Sequence, residues 1–150
     1  MSTISARIEN AVTEMEHCHW RTRCNNCSGL LDSEYLDPKC VFLIPGLGDY
    51  DNGGVLSSQS DPKLTEELHD EKLPVWSHYE MKNVEVIEVS MMCAVICYRL
   101  SAKKIVEKGP KKGTVVQYEA LCSSSYKQLA SSKWKMCTHH EAPISVGEME

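Results

Sequence analysis

Met91-Met92-Cys93-Ala94-Val95-Ile96-Cys97-Tyr98-Arg99-Leu100 decides the fold when it is read together with the next apolar run of the chain. After the loop Gly109-Pro110-Lys111-Lys112-Gly113 the chain runs Thr114-Val115-Val116-Gln117-Tyr118-Glu119-Ala120-Leu121-Cys122-Ser123-Ser124-Ser125-Tyr126. Both runs are strand-length, rich in Val, Ile, Tyr and Cys, and separated by turn residues. Residues 91 to 98 are apolar at both parities, which predicts a strand covered on both faces. Val75 to Val89 and Lys133 to His140 read the same way, giving four long strands in the second half.

The first half is different. Ile4, Ile8, Ala11, Val12, Met15 and His19 fall on one helical stripe, and Glu9, Thr13 and Glu16 take the opposite face. Trp20 lies off that stripe and is expected to face something other than the main contact. A second helix is expected over Leu30 to Leu36, ended by Pro38, followed by a strand at Cys40 to Ile44. Residues 46 to 60 are turn-rich with room for a short strand at Val55-Leu56, and a third helix begins at Asp61-Pro62 and ends before Pro74. Helices first and consecutive strands afterwards predict an α+β chain with one antiparallel sheet and helices on one face. One domain is expected over residues 1–143, with 144–150 as a flexible tail.

Composition narrows the partners. The chain has 150 residues, 42% of them hydrophobic, and a formal charge of -5, so it lacks an electrostatic footprint for nucleic acid. The longest apolar runs fall far short of the ~20 residues that cross a bilayer, and no leader pattern opens the sequence, so no membrane partner and a cytoplasmic location are expected. Eight cysteines stand out. Cys24-Asn25-Asn26-Cys27 has metal-ligand spacing, but without a second such pair the cysteines read as core or surface thiols, with no metal site. No phosphate cradle, HExxH or GxSxG is present, so no cofactor is expected.

Trp76-Ser77-His78-Tyr79-Glu80, Ala94-Val95-Ile96-Cys97-Tyr98-Arg99, Tyr118 to Tyr126 and Lys133-Trp134-Lys135-Met136-Cys137-Thr138-His139-His140, together with Leu43-Ile44-Pro45-Gly46, resemble the sheet signatures of the SnoaL-like, nuclear transport factor 2-like superfamily. The likeness covers residues 5 to 143. It implies a cone-shaped α+β barrel, its strongly curved antiparallel sheet wrapped around three helices to leave a conical pocket. The last strand departs from the family, ending His139-His140-Glu141-Ala142-Pro143 where relatives carry a Gln and a Thr-Pro.

Alternation within that fold selects the pocket residues. Tyr118, Ala120, Cys122, Ser124 and Tyr126 share one face, as do Trp134, Met136, Thr138 and His140, and Ala94, Ile96 and Tyr98. Glu119, Lys127, Lys133, Lys135 and Glu141 are assigned to the solvated convex side. Proton transfer needs a tuned acid or base and a donor for the oxyanion. His140 is the expected acid/base, Tyr98 and Tyr118 the donors, and Asp49 a loop carboxylate. Trp20, Phe42, Trp76, Tyr79, Cys122, Ser124, Trp134, Met136, Thr138 and His19 are expected to bind substrate. The resemblance implies isomerisation, cyclisation or dehydration of a hydrophobic polyketide- or terpenoid-like molecule in secondary metabolism, by a homodimer. The alternative is a non-catalytic binding or dimerisation module.

Overall fold

The computed structural model describes residues 4–32, 34–45 and 53–149. Asp49, one of the expected site residues, lies outside them. Among the described residues three helices precede most of the sheet: α1 (Ile4–Arg23), α2 (Gly29–Asp32) and α3 (Leu64–His69). Six strands form one sheet in the order β2-β1-β6-β5-β4-β3. They are β1 (Leu36–Leu43), β2 (Val55–Leu56), β3 (His78–Ser90), β4 (Cys93–Ile105), β5 (Val115–Gln128) and β6 (Trp134–Met149). The sheet is curved and α+β in class, as the sequence predicts, and it stays open between β2 and β3 rather than closing into a barrel. No helix among the described residues is long and apolar enough to cross a membrane.

Several details differ from the sequence reading, among them the third helix, which starts at Leu64 with Lys63 at its N-cap rather than at Asp61-Pro62. The second helix is a single turn, and the residues expected to extend it turn into β1 at Leu36, four residues before the expected strand. Pro38 is tolerated there because β1 makes no backbone pairing between Leu36 and Val41. The sheet is antiparallel except for β1, which pairs in parallel with β6, the strand that enters between it and β5. Residues 144–149, expected as a tail, continue β6, with Met149 opposite Val115.

α1 lies across the sheet's inner face and presents Ile8, Val12, Glu16, His19, Trp20 and Arg23, all buried. The buried stripe is therefore turned toward Glu16 and Trp20, the two residues expected to face away. Against it the inner faces of β4 and β5 alternate as predicted: Ala94, Ile96, Tyr98, Leu100 and Ala102 on one, Tyr118, Ala120, Cys122, Ser124 and Tyr126 on the other. β6 alternates differently. Ser125 pairs with Thr138 and Tyr126 with Met136, so Cys137 is an extra residue opposite β5. This bulge reverses the alternation beyond it. Met136 is inside, and so are His139 and Glu141, whereas Thr138 and His140 turn outward.

Candidate functional site

The bulge in β6 and the turned stripe of α1 bring four ionisable side chains together in the core. Glu16, Arg23, His139 and Glu141 have no solvent exposure. Unpaired charges in such surroundings are strongly disfavoured, and here each is matched. The Arg23 Nη1–H donates to Glu141 Oε2 at 2.6 Å. Tyr118 donates to Glu141 Oε1 at 2.9 Å. Glu16 takes three hydroxyl hydrogen bonds: from Tyr98, from Ser124 at 2.6 Å and from Tyr126 at 2.5 Å. Tyr98 in turn accepts from Trp20 Nε1–H at 2.6 Å.

Donor counting fixes the state of His139. Its Nε2 lies 2.7 Å from Glu141 Oε2, and its Nδ1 lies 2.8 Å from Ser124 Oγ. Ser124 has one proton and spends it on Glu16, so Nδ1 is the donor; the carboxylate of Glu141 only accepts, so Nε2 is the donor as well. With both nitrogens protonated, His139 is an imidazolium. Burial opposes that charge, but the hydrogen-bonded Glu141 and the Glu16 carboxylate, 3.6 Å from Nδ1, outweigh it and raise its pKa. Burial also opposes the charge on both carboxylates. His139 chiefly overcomes it at Glu16, and Arg23 and His139 at Glu141, so both pKa values are lowered. Two carboxylates thus face one guanidinium and one imidazolium, and the cluster is neutral only while His139 keeps its second proton.

His19 is the opposite case. Its ring centroid lies 4.3 Å from that of His139, and its Nε2 is 3.4 Å from Arg23 Nη1. Arginine only donates, so His19 Nε2 accepts and the ring is neutral with its proton on Nδ1. Burial, the His139 charge and the Arg23 charge all lower its pKa, to well below the usual histidine range. Two adjacent imidazoles, their planes tilted by 41°, are thereby held in different protonation states. Phe42 packs against both rings, at 5.8 Å from His19 and 5.2 Å from His139.

The remaining expected residues are scattered. His140 lies on the convex face in a groove with Asn83, Glu85, Cys97, Arg99 and Leu121, on the side of the sheet away from α1. Thr138 is also outside, where it bonds Ser125 Oγ at 2.7 Å. Glu141, expected among the solvated charges, is buried. The bulge at Cys137 is the reason for all three. Trp20, Phe42, Trp76, Cys122, Ser124, Met136 and His19 are packed in the core, and Trp134 is half-buried against it. Tyr79 is half-buried, stacked on Trp20 at 6.4 Å and 2.9 Å from His17 Nδ1. The interior around α1 is therefore filled by these side chains rather than left as an open cone.

The residues missed from sequence are Glu16, Arg23, His139 and Glu141. A usable signal existed on α1: Glu16, His19 and Arg23 recur at helical spacing beyond Ile8 and Val12. None existed for β6, because a bulge leaves no mark in a run such as Lys135-Met136-Cys137-Thr138.

His19, His139 and Glu141 carry ligand atoms within 4.8 Å of one another, a set that suits a divalent cation. However, Arg23 Nη1 already lies against two of them, so a metal would have to displace the guanidinium that supplies the positive charge. Among the described residues no cysteine joins a second such group. All eight are free thiols, and the pKa of Cys27 is pushed up to about 11 by burial and by Glu71, whose Oε2 lies 3.1 Å from its Sγ.

The sequence matches no family model, and comparison with curated proteins gives no match. Solved structures do align along nearly the whole chain. The hexachlorocyclohexane dehydrochlorinase LinA-type3 of Novosphingobium barchaimii LL02 is 11% identical, covering 97% of this chain and 92% of its own, with a TM-score of 0.72. A nuclear transport factor 2-like superfamily protein of Salmonella enterica serovar Typhimurium LT2 is 12% identical over 94% of each chain, with a TM-score of 0.68. The association domain of CaMKII from C. elegans is 9% identical over 93% of this chain and 99% of its own, with a TM-score of 0.62. Identities this low carry the fold and not the activity.

Proposed function

We propose, from the premise that this chain has the SnoaL-like, nuclear transport factor 2-like cone fold, that it is a cofactor-independent enzyme whose proton-transfer group is His139. The observation that carries the reading is the His139–His19 pair, two adjacent imidazoles whose surroundings move their pKa values apart. Such divergence is how one site separates its acid from its neutral polar groups. The dehydrochlorinase among the structural neighbours supports elimination chemistry on this scaffold.

The resting imidazolium sets the order of events. His139 gives its proton to a leaving oxygen or to a carbonyl of the substrate, and becomes neutral. It then recovers a proton from the neighbouring carbon, which leaves the double bond in the substrate and restores the imidazolium. With a hydroxyl leaving group the net reaction is loss of water; with a carbonyl it is a shift of the double bond. Glu16 and Glu141 keep His139 charged between turnovers. Phe42 and Trp20 enclose the rings, so the substrate has an apolar body, in keeping with a polyketide- or terpenoid-like molecule of secondary metabolism, and displaces part of that cover as it binds.

The test needs no known substrate. Wild-type protein in D2O with a panel of enolisable ketones and β-hydroxy ketones should exchange C–H for C–D. His139→Gln should slow exchange by roughly 10²–10⁴, while His140→Gln leaves it unchanged. Equal rates in wild type and His139→Gln would overturn the reading.

A second reading is a non-catalytic binding or dimerisation module, favoured by one observation: both His139 nitrogens are already occupied and none of the cluster reaches solvent. It predicts no exchange with any panel member. Either role is compatible with a homodimer formed through the convex face, which exposes Ile87, Val89 and Leu121. Light scattering showing a monomer at tens of micromolar would remove that assembly.

A further inference from the structure

Buried hydrogen-bond donors without acceptors are rare in folded proteins, and each calls for an explanation. Among the described residues they gather around one place. Arg23 spends Nη1 on Glu141, while its Nε and Nη2 have no partner. His19 Nδ1 and Trp76 Nε1 have none either. All three side chains are at least nine-tenths buried.

Contacts tie them to one another. His19 and Arg23 are one helical turn apart on the inner face of α1. The Trp76 backbone N–H donates to the Arg23 carbonyl at 3.3 Å. The Trp76 ring stacks on Tyr118 at 5.1 Å with the planes 6° apart, and Tyr118 bonds the same Glu141 that holds Arg23. One face of the guanidinium is covered by the Trp20 ring at 4.5 Å.

The edge of a guanidinium formed by Nε–H and Nη2–H is a two-pronged donor that matches the two oxygens of a carboxylate. A lone carbonyl would use only one prong. Beside Trp76 the surface opens into a groove of about 520 Å³ lined by Cys24, Ser77, Lys104 and Lys108. Lys104 Nζ stands 5.5 Å from the Trp76 ring centroid. Glu107 also lines it, so the mouth sets two lysines against one carboxylate and is locally basic on a chain of net charge -5, which favours approach of an anion.

We infer that Arg23, with His19 and Trp76, forms a carboxylate-recognition site, and that the substrate is an apolar molecule bearing a carboxylate held by the Nε/Nη2 edge of Arg23. The inference deepens the proton-transfer reading and rests on it for the role of the neighbouring His139. Binding, however, is measurable without turnover.

Benzoate and its neutral isostere benzamide are the probes, and the Arg23 Nε–H resonance in a ¹⁵N-edited spectrum of the whole chain is the readout. Benzoate should move that resonance saturably, and benzamide should not. Arg23→Lys keeps the charge beside Glu141 and loses the two-pronged edge; it should weaken benzoate binding about 10-fold or more. Trp76→Phe retains a six-membered ring against Tyr118, loses the pyrrole ring with its N–H and should weaken binding several-fold. The wild-type spectrum carries the test even if a variant fails to fold. An Arg23 signal that stays fixed up to the solubility limit of benzoate, or that follows benzamide equally, overturns the inference. Exchange activity without benzoate binding overturns it alone, and benzoate binding without exchange activity overturns the proton-transfer reading alone.

Discussion

His139 and His140 are adjacent in the chain and belong to opposite regions of the molecule. His139 is enclosed between α1 and the inner face of the sheet, with a carboxylate or hydroxyl on each nitrogen. His140 is on the convex face beside Leu121 and Arg99. The inner region holds its charges in fixed pairs away from water; the outer one holds them on a solvated rim. Their energetics should differ accordingly. A buried charge left alone is costly, whereas an exposed pair is screened and nearly neutral in its contribution.

The largest expected contrast comes from the two arginines. Arg23→Met strands Glu141 in the core and should destabilise the fold by about 3–5 kcal/mol. Arg99→Met breaks only the surface pair with Glu119, at 3.2 Å with the Arg99 side chain half exposed, and should cost no more than about 1 kcal/mol. Urea denaturation of the two variants measures the difference, and equal losses would mean that the inner network is not held as a set of desolvated pairs.

Acid and base should reach the inner region in opposite senses. The pKa of His139 is raised above the ordinary 6.5, so its contribution to stability is fully present below that value and lost as the pH rises through the folded value. The pKa of Glu141 is lowered from 4.5 to about 2, so its contribution is present above 4.5 and lost as the pH falls toward 2. Melting temperatures of wild type and His139→Gln should therefore differ most between these limits and converge on the alkaline side. A gap that widens above pH 6.5 would assign the proton elsewhere.

Smaller still is the removal of one donor. Tyr126→Phe takes a hydroxyl from Glu16 and leaves Tyr98 and Ser124 in place, for an expected loss of about 1–3 kcal/mol. Leu121→Ser, at a position 56% exposed, should stay within about 0.5 kcal/mol if the convex face is free in solution. A larger loss at Leu121, dependent on protein concentration, would show instead that this face is covered by a second copy.

Much of the architecture is legible in the residues because it depends on local pattern. The apolar run at Met91 to Leu100 becomes β4 only from Cys93, with Met91 and Met92 exposed in the turn before it and the outer face half-buried rather than covered. Thr114 to Tyr126 becomes β5, and both strands face the expected residues inward. The limits appear at particular side chains. The ordinary behaviour of carboxylates assigns Glu16 to water, yet Tyr98, Ser124 and Tyr126 reach it from more than 80 residues away in sequence. Pro38 suggests a helix stop, and the chain instead passes through it into a strand whose pairing is interrupted there.

Local pattern in the chain is enough for the α+β class, the long strands and the inner faces of β4 and β5, because hydrophobic alternation is read two residues at a time. Which histidine lies inside is a property of the assembled sheet. One extra residue at Cys137 reverses the side chains that follow it as far as Pro143, where a second irregularity intervenes, and whether β6 takes up that residue depends on its pairing with β5 and the space beneath α1. The charge state of His139 is settled at the same level. It follows from Glu16, Ser124 and Glu141, carried by three different elements, and no local stretch of the chain contains that sum.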